Sequence, residues 1–501
     1  MAFAKARNGG STAMRSILFA HRWLGVVLGL VMTVWCLSGF VMLYVDYPRL
    51  LPAERLQGLA PLDLSACCTA PAGLAEGAEW AAARIEMRDG NPVLRLRPAS
   101  DPGRLRNAEQ ARAMPLLTDL NTGRQPEALE PERVRMLAQN FAERIGVQGD
   151  AGQPEQIIQD QWTVQNARRH QPLYRVPFDD DAGTVIYIAA ASGEVVQQTT
   201  AHERFWGWLG AVPHWLYPTL LRQDTALWAQ VVIWLSLAGC FLTITGLVVG
   251  IQRLRRRDGS LSIPYRGLWR WHHITGLTAG VLTLTWVLSG LLSMNPWGLL
   301  DSTAGGLWRA RLAGGISGAD IARMLAIAPT LPLPPDTVEM EATPLDGRLY
   351  LTIRTGNGIQ QRFDAQGHAA PLQQTDLAAA LAGLGPVAEL ALMQGPDDYY
   401  YSHKFPIRLP VYRAILADAD QTRLYIDAES GQLLRAVDGP ARAFRWWQDG
   451  LHSLDFAWMR ARPLWDLIIL PLLAAVTLVC ATGTWMGIRR LRRDLRSRRR
   501  K

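Results

Sequence analysis

The sequence is poor in cysteine and has no recognisable nucleotide-binding loop. Its 501 residues include five cysteines, and their spacing matches neither a disulfide framework nor a zinc site. Cys67 and Cys68 are adjacent, and no other cysteine is an evident partner for either. No Gly-x-Gly-x-x-Gly motif follows a strand-like run, and no phosphate-binding loop is present. These absences exclude a disulfide-stapled secreted fold and argue against a nucleotide site.

Charged residues are almost absent from four apolar stretches, near residues 17–44, 226–251, 272–294 and 464–488. Each is long enough to cross about 30 Å of hydrocarbon as a helix. The first is too long for the core of a signal peptide and lacks a cleavage site, so it is predicted to be a retained span. Asp466 alone lies inside the edge of a span, which argues against a transporter.

Basic residues cluster beside the ends of these stretches. Nineteen Lys and Arg residues face only Asp258 and Asp494 there, which gives a net charge of +17. The rest of the chain must carry −9, since the total is +8. The positive-inside rule places the basic segments in the cytoplasm and the two long segments in the periplasm of a bacterial inner membrane. Because the charge follows the span ends, nucleic-acid binding is not predicted.

The predicted fold class is an α+β membrane protein with four transmembrane helices and two periplasmic domains. Its predicted segments are the cytoplasmic N-terminus 1–16, helix 17–44, periplasmic domain 45–225, helix 226–251, cytoplasmic basic loop 252–268, helix 269–294, periplasmic domain 295–463, helix 464–488 and cytoplasmic tail 489–501. Each periplasmic segment is predicted to be α+β. The expected helices lie at 131–146 and 375–384, and the expected strands at 172–178, 184–190, 411–417 and 422–428.

The chain is a repeat of one unit. The first and third stretches match at an offset of 251, where His21, Gly25, Gly29, Trp35, Ser38 and Gly39 correspond to His272, Gly276, Gly280, Trp286, Ser289 and Gly290. The second and fourth match at an offset of 237, where Trp228, Thr245 and Gly246 correspond to Trp465, Thr482 and Gly483. The long segments match at 238, which aligns Asp160 with Asp398. Both copies run span–domain–span, so a pseudo-twofold axis along the membrane normal is expected.

These repeated features resemble the PepSY-associated transmembrane family, and segments 210–217 and 399–403 are similar to stretches typical of it. Family members include haem-containing inner-membrane reductases of ferric siderophores, of the FoxB type. The resemblance implies two PepSY-like domains and a haem-dependent transmembrane reductase. Such an enzyme passes electrons to a periplasmic ferric siderophore, reduces Fe3+ to Fe2+ and releases the iron.

Four histidines form matched pairs at the predicted membrane faces. His21 pairs with His272 on the cytoplasmic side, and His214 pairs with His452 on the outer side. A pseudo-twofold axis would bring each pair to one centre, and two neutral imidazoles are the axial ligands of a b-type haem. The expected cofactor is therefore haem b, two per chain, at levels roughly 30 Å apart. The alternative is that these histidines are interfacial and contact headgroups or water.

Several neighbouring residues are weaker candidates for the same site. His273 is a rival of the adjacent His272, and His403 is either a further ligand, a substrate contact or a solvated loop residue. Four glycines would leave room for a porphyrin, or they serve close packing of helices instead; they are Gly25, Gly29, Gly276 and Gly280. Three tyrosines would offer an aromatic platform to a substrate, or they are ordinary strand composition; they are Tyr399, Tyr400 and Tyr401.

The partners expected from the sequence are the lipid bilayer, a ferric siderophore and an electron donor. The donor stays open among a quinol, a flavin and a reductase protein. The alternative function is a non-redox PepSY membrane protein that modulates a protease or acts as an iron-uptake partner. The presence of haem separates these two functions.

Overall fold

The computed structural model describes residues 12–71, 74, 79–99, 116–165, 167–257 and 260–498. The chain divides into two compact units. A helical unit contains residues up to 47, residues 206–301 and residues from 443 onward, and a sheet unit contains residues 48–205 and 302–442. Each unit therefore draws on both copies of the repeat.

Three helices of the helical unit are long and apolar enough to cross a membrane, namely Thr12–Met42, Thr225–Arg253 and Leu464–Arg498. We call them the first, second and last spanning helices. Leu268–Thr278 and Gly280–Ser293 together meet the same length and composition, but they bend by 62° where they join. The described residues thus hold three candidate spans, or four if the bent pair is one span, whereas the sequence predicted one continuous helix there.

The bend falls at Ala279, where three local features weaken the helix. Gly276 and Gly280 flank it, and glycine lowers helix propensity. The Thr278 hydroxyl donates to the Ile274 carbonyl at 3.1 Å, a back-bond of the kind that bends helices. A Cβ at Gly280 would lie 2.6 Å from Leu247 of the second spanning helix, so the glycine also permits a close helix contact. Average hydropathy carries none of this information.

Short elements lead into the second and last spanning helices. The shorter elements of this part of the chain are helices Ala201–Leu209, Ala211–His214, Thr219–Arg222 and Gly439–Phe444, the 3₁₀ turn Pro296–Gly298, the π-helix Arg445–Gly450 and the strand pair Arg255–Arg257 with Ser260–Ser262. The indole N–H of Trp228 donates to the Trp215 carbonyl, and that of Trp465 donates to the Ser453 carbonyl, both at 2.9 Å. We call residues 201–224 and 439–463, which precede the second and last spanning helices, the lead-in segments. These equivalent tryptophans bind each lead-in segment to the start of its spanning helix.

One sheet of the sheet unit is shared by the two copies. The first copy supplies Glu79–Arg88, Asn91–Pro98 and Leu116–Asp119, and the second supplies Ile316–Ser317, Thr337–Ala342, Tyr350–Thr355 and Gln360–Asp364. Glu79–Arg88 and Thr337–Ala342 pair antiparallel at the centre, and the strand order runs outward in the same sequence on both sides. The sequence predicted a separate domain in each segment. The structure differs because the central pairing covers the edge that each half alone would expose.

Each copy also forms its own four-stranded sheet with one helix against it. The strands are Glu155–Ile157, Leu173–Pro177, Val185–Ala189 and Val195–Thr199 in the first copy, and Val387–Met393, Val411–Leu416, Arg423–Asp427 and Leu433–Val437 in the second. The packed helices are Pro131–Arg144 and Gln374–Ala382, which confirms the predicted helices, strands and α+β class. The other helices of this unit are Pro52–Gly58, Ala167–His170, Ala304–Ala313, Gly318–Ile327 and the 3₁₀ turn Ala328–Thr330. Cys67 and Cys68 are disulfide-bonded to each other.

A buried turn corrects one detail of the repeat alignment. The Tyr187 hydroxyl donates to the Asp160 carboxylate at 2.7 Å, and the equivalent Tyr425 donates to Asp397 at 2.8 Å. Both aspartates also accept backbone N–H groups two and three residues further along the chain. Asp397 is therefore the counterpart of Asp160, and the alignment with Asp398 was wrong by one residue.

Two glutamates meet at the centre of the shared sheet. Glu86 and Glu339 are cross-strand neighbours, and their side chains are 2% and 3% exposed. Glu86 pairs with Arg95, and Glu339 pairs with Arg354 at 2.6 Å, while Arg84 lies 3.2 Å from Glu86 and 3.6 Å from Glu339. Burial alone would raise the pKa of Glu86, but the surrounding guanidinium groups, Arg95 first, lower it from 4.5 to about 2.

Glu86→Gln should destabilise the protein by about 3 kcal/mol, because it leaves buried guanidinium charge unpaired. The low pKa of Glu86 stabilises the fold above the ordinary glutamate range, and that stability is lost as the pH falls from about 4.5 toward 2. Unfolding of the detergent-solubilised chain across this range should therefore show a weaker pH dependence in the variant. Glu155→Gln, which removes an exposed partner of Arg175, is the matched control. An equal loss of unfolding free energy in both variants would contradict the role assigned to the burial of Glu86.

Candidate functional site

The equivalent histidines of the two copies meet in the helical unit. The ring centroids of His21 and His272 are 6.5 Å apart, with 36° between the ring planes. Those of His214 and His452 are 6.1 Å apart, with 68° between the planes. The prediction that each pair converges is confirmed, and the role of the rings as ligands stays a prediction.

The inner pair, His21 and His272, is fixed through its Nδ1 atoms. The Nδ1–H of His21 donates to the Leu242 carbonyl at 3.1 Å. His272 Nδ1 lies 3.0 Å from the hydroxyl oxygen of Thr482, which donates its own proton to the Leu478 carbonyl at 2.7 Å. Since that hydroxyl is already used as a donor, it accepts from His272. Both rings of the inner pair therefore carry their proton on Nδ1.

The outer pair, His214 and His452, is fixed in the same way. His214 Nδ1 lies 3.1 Å from the Trp35 carbonyl and 3.2 Å from the Ser38 hydroxyl, which donates to that same carbonyl at 3.0 Å. In the other copy His452 Nδ1 contacts the Trp286 carbonyl at 3.3 Å and the Ser289 hydroxyl at 3.0 Å. The Ser289 hydroxyl likewise donates to the Trp286 carbonyl at 3.0 Å. Again both imidazoles act as Nδ1–H donors.

All four imidazoles therefore adopt the tautomer whose lone pair is on Nε2. A second hydrogen bond that fixes the tautomer and the ring orientation is the usual support of a metal-bound histidine. The two rings of each pair are about 6 Å apart at their centroids, and their role as ligands of one metal stays a prediction.

A glycine lies beside each of the four rings. A Cβ added at these glycines would lie 2.7 Å from His21 at Gly246, 3.1 Å from His272 at Gly483, 3.8 Å from His214 at Gly39 and 3.6 Å from His452 at Gly290, always measured to Cε1. Three of the four directly follow a hydroxyl residue that accepts from the same ring. These roles were not predicted from the sequence, although the repeated Ser-Gly and Thr-Gly pairs carried the signal.

The sequence profile described as the PepSY-associated TM region matches residues 18–490. The chain belongs to this family. No curated protein matches it closely enough to name a relative. As a PepSY-associated protein with several candidate spans, it is a multi-pass membrane protein.

The four glycines first proposed to line the site of this PepSY-associated protein divide into two kinds. A Cβ at Gly29 would lie 2.9 Å from the Thr484 hydroxyl, and one at Gly280 would lie 2.6 Å from Leu247. These two glycines allow close helix packing. A Cβ at Gly276 would meet nothing within 4 Å, and one at Gly25 only a Leu242 methyl at 4.0 Å. Gly25 and Gly276 each lie one turn after a histidine of the inner pair, and of these two glycines Gly276 borders open space.

The rival histidine is placed differently from its neighbour. The His273 ring is buried and lies 5.3 Å from the ring of Tyr265, whereas its neighbour His272 meets His21. The pairing therefore favours His272, as the repeat predicted. Within the described residues, no group of three or more His, Cys, Asp or Glu is arranged to hold a metal ion.

The remaining candidates of the PepSY-associated protein belong to the sheet unit. The Tyr400 ring is buried, stacks on Tyr425 at 5.0 Å and donates its hydroxyl proton to the Arg408 carbonyl. The Tyr401 ring meets the His403 ring edge-on at 6.1 Å. The Arg423 guanidinium lies over the Tyr399 ring at 4.9 Å. A role of these residues in substrate binding stays a prediction.

Groups that hold the two pairs lie on the first and last spanning helices, which touch each other. Ser38 holds His214 and Thr482 holds His272, and their near neighbours Cys36 and Cys480 touch at 3.8 Å between sulfur atoms. His21 lies 17 residues before Ser38 on the first spanning helix, which corresponds to a rise of about 25 Å. The separation of roughly 30 Å between the two levels stays a prediction. The lead-in segment before the second spanning helix brings His214 beside Ser38, near the end of the first spanning helix.

Proposed function

We propose that this protein is a haem b-containing inner-membrane reductase that passes electrons across the membrane to a periplasmic ferric siderophore. Its two histidine pairs would each hold one haem, and the bent helix pair would serve as the fourth span. Both termini would be cytoplasmic, as the basic segments at the span ends favour. The substrate class follows from the family resemblance, and the net acidic charge of the long segments favours a neutral or cationic ligand.

One observation carries the proposal: equivalent histidines meet in pairs, and every ring has the same tautomer. A metal–imidazole bond is about 2 Å long, and each ring nitrogen is about 1 Å from its ring centre, so two axial imidazoles have centroids about 6 Å apart. The measured separations are 6.5 and 6.1 Å. Headgroup contacts alone would not require two rings at this spacing.

The surroundings of the pairs also fit a macrocycle. Gly276, one turn after His272 of the inner pair, borders open space, as a flat ligand between helices requires. The indole N–H groups of Trp35 and Trp286 are buried, and within the described residues neither has an acceptor. These equivalent donors suit a bound group that has polar edges.

The chain's own residues would position the bound group, insulate it from water and orient its ligands. A bound haem would supply one-electron transfer at each level. Ser38, Ser289 and Thr482 hold the ring planes of His214, His452 and His272 through Nδ1, which fixes the orientation of these rings. The apolar core around Leu28, Met32 and other span residues excludes water between the two levels.

The first test is the colour of the purified protein. Protein from haem-replete cells should show a Soret band and, on reduction, the sharp bands of low-spin b-type haem, with about two haems per chain. Reduced protein in liposomes should be reoxidised by a ferric siderophore added on the side that corresponds to the periplasm. Colourless protein would overturn the proposal and favour the non-redox alternative. Protein that contains haem but is reoxidised by no ferric chelate would support the haem sites and overturn the proposed reductase activity.

Ser289→Ala should weaken haem binding at the outer pair by about 10- to 100-fold, the usual cost of losing a group that orients a metal ligand. The cause is the lost hydrogen bond to His452, which lets the ring rotate. Haem titration of the apoprotein measures it. Ser293→Ala, four residues along the same helix, removes a hydroxyl that donates to the Gly290 carbonyl and is the matched control. Equal affinities in the two variants would remove the orienting role.

A further inference from the structure

Two membrane thiols meet at the contact between the first and last spanning helices. The sulfur atoms of Cys36 and Cys480 are 3.8 Å apart. The helices approach closely there, since a Cβ at Gly29 would lie 3.3 Å from the Thr484 Cα and the hydroxyls of Thr33 and Thr484 are 2.9 Å apart. The two thiols therefore face each other across a tight helix interface.

Packing alone does not explain two cysteines at this contact. The repeat offsets place Val287 and Thr243 at the positions equivalent to Cys36 and Cys480. That equivalent interface is also tight, since a Cβ at Gly239 would lie 3.1 Å from Val287. The same helix contact is thus built without sulfur in the other half of the molecule.

We propose that Cys36 and Cys480 form a reversible disulfide that links the first span to the last, with a lipid-soluble quinone as oxidant. A disulfide bond is about 2 Å long, so the sulfurs must approach by about 2 Å more. Both S–H bonds break and one S–S bond forms. The two electrons and two protons pass to the quinone, which becomes a quinol. Reduction by a dithiol restores both thiols.

The position of the bond links it to the histidine pairs. Cys36 lies two residues before Ser38, which holds His214, and Cys480 lies two residues before Thr482, which holds His272. Closing the bond pulls on one support of each pair. If the proposed haem function holds, oxidation should therefore shift the haem absorption bands as well.

The test uses the full chain in native membranes, with a protease site inserted between residues 257 and 260. The copies then separate on a denaturing gel unless a disulfide joins them. Membranes are treated with a short-chain ubiquinone or with diamide, blocked with N-ethylmaleimide, cleaved and run without reductant. The expected result is one band of full mass, which dithiothreitol splits into two halves.

Cys36→Ala and Cys480→Ala should each abolish the joined band. Cys240→Ala, which removes the third membrane thiol, and Cys67→Ser with Cys68→Ser should leave it intact. The oxidised wild-type chain should also take up two fewer maleimide groups by mass spectrometry, a result that depends on no variant. No joined band with either oxidant, or one that persists in Cys36→Ala, would overturn the proposal. The haem spectrum of the same samples keeps this outcome separate from the reductase proposal.

Discussion

Purified His272→Ala protein is expected to contain about one haem per chain in place of two. The substitution removes one of the two imidazoles of the inner pair, and a b-type haem with one axial ligand is held weakly. The outer pair should keep its haem, because His214 and His452 have their own supports in Ser38 and Ser289. Haem content per chain, measured as the pyridine haemochrome, gives the result directly. His452→Ala should give the same stoichiometry with the inner haem retained.

The adjacent histidine provides a close control for this experiment. His273 is equally a histidine of the bent helix pair, but its ring lies beside Tyr265 and not beside His21. His273→Ala should therefore keep about two haems. If His273→Ala loses as much haem as His272→Ala, the pairing seen in the structure does not identify the ligands. Size-exclusion profiles of both variants establish that the comparison is made on folded protein.

Gly246→Ala should displace the imidazole of His21 without removing it. The new Cβ would lie 2.7 Å from Cε1 of that ring, closer than nonbonded atoms approach, so the ring must leave its bond with the Leu242 carbonyl. We expect the inner haem to be lost or to become high-spin, with an affinity loss of about 10- to 100-fold. Visible and electron paramagnetic resonance spectra distinguish these two results from an intact low-spin centre.

Gly239→Ala is the matched control for Gly246→Ala. It makes the same change on the same helix, seven residues away, and its Cβ would crowd Val287 at 3.1 Å without touching a histidine. This variant should lose some stability and keep its low-spin spectrum. Equal spectral changes in both variants would mean that helix packing, and not the position of His21, controls the site.

Much of the fold was predictable because its signals are local. Apolar runs predicted the three continuous spanning helices, and residue periodicity predicted Pro131–Arg144 and the strands that follow it. The shared sheet was not predicted. No local sequence pattern indicates that Glu79–Arg88 pairs with Thr337–Ala342, about 250 residues further along the chain. The 62° bend was missed because average hydropathy does not depend on backbone direction.

The site was half predictable for a related reason. Equal offsets identified the four histidines, and a pseudo-twofold arrangement implied that they would meet. The groups that hold them were quoted only as marks of the repeat, because a Ser-Gly pair has many uses and its partner His214 lies 176 positions away from Ser38. Composition also does not indicate the direction of the lead-in segment before the second spanning helix. That direction brings His214 back beside Ser38.

The shared sheet also has an evolutionary consequence. Outward from the central pair, the strands follow the same order on both sides, and Glu86 faces Glu339 across that centre. Pairing of a strand with the equivalent strand of a second copy is what a twofold homodimer makes. Duplication and fusion of the gene of a subunit that dimerised through this strand would leave the same pairing within one chain. In a fused chain the two halves can differ in sequence, whereas the subunits of a homodimer cannot. Such differences here are Cys36 and Cys480, which have no cysteine counterparts, and His273, whose counterpart is Arg22.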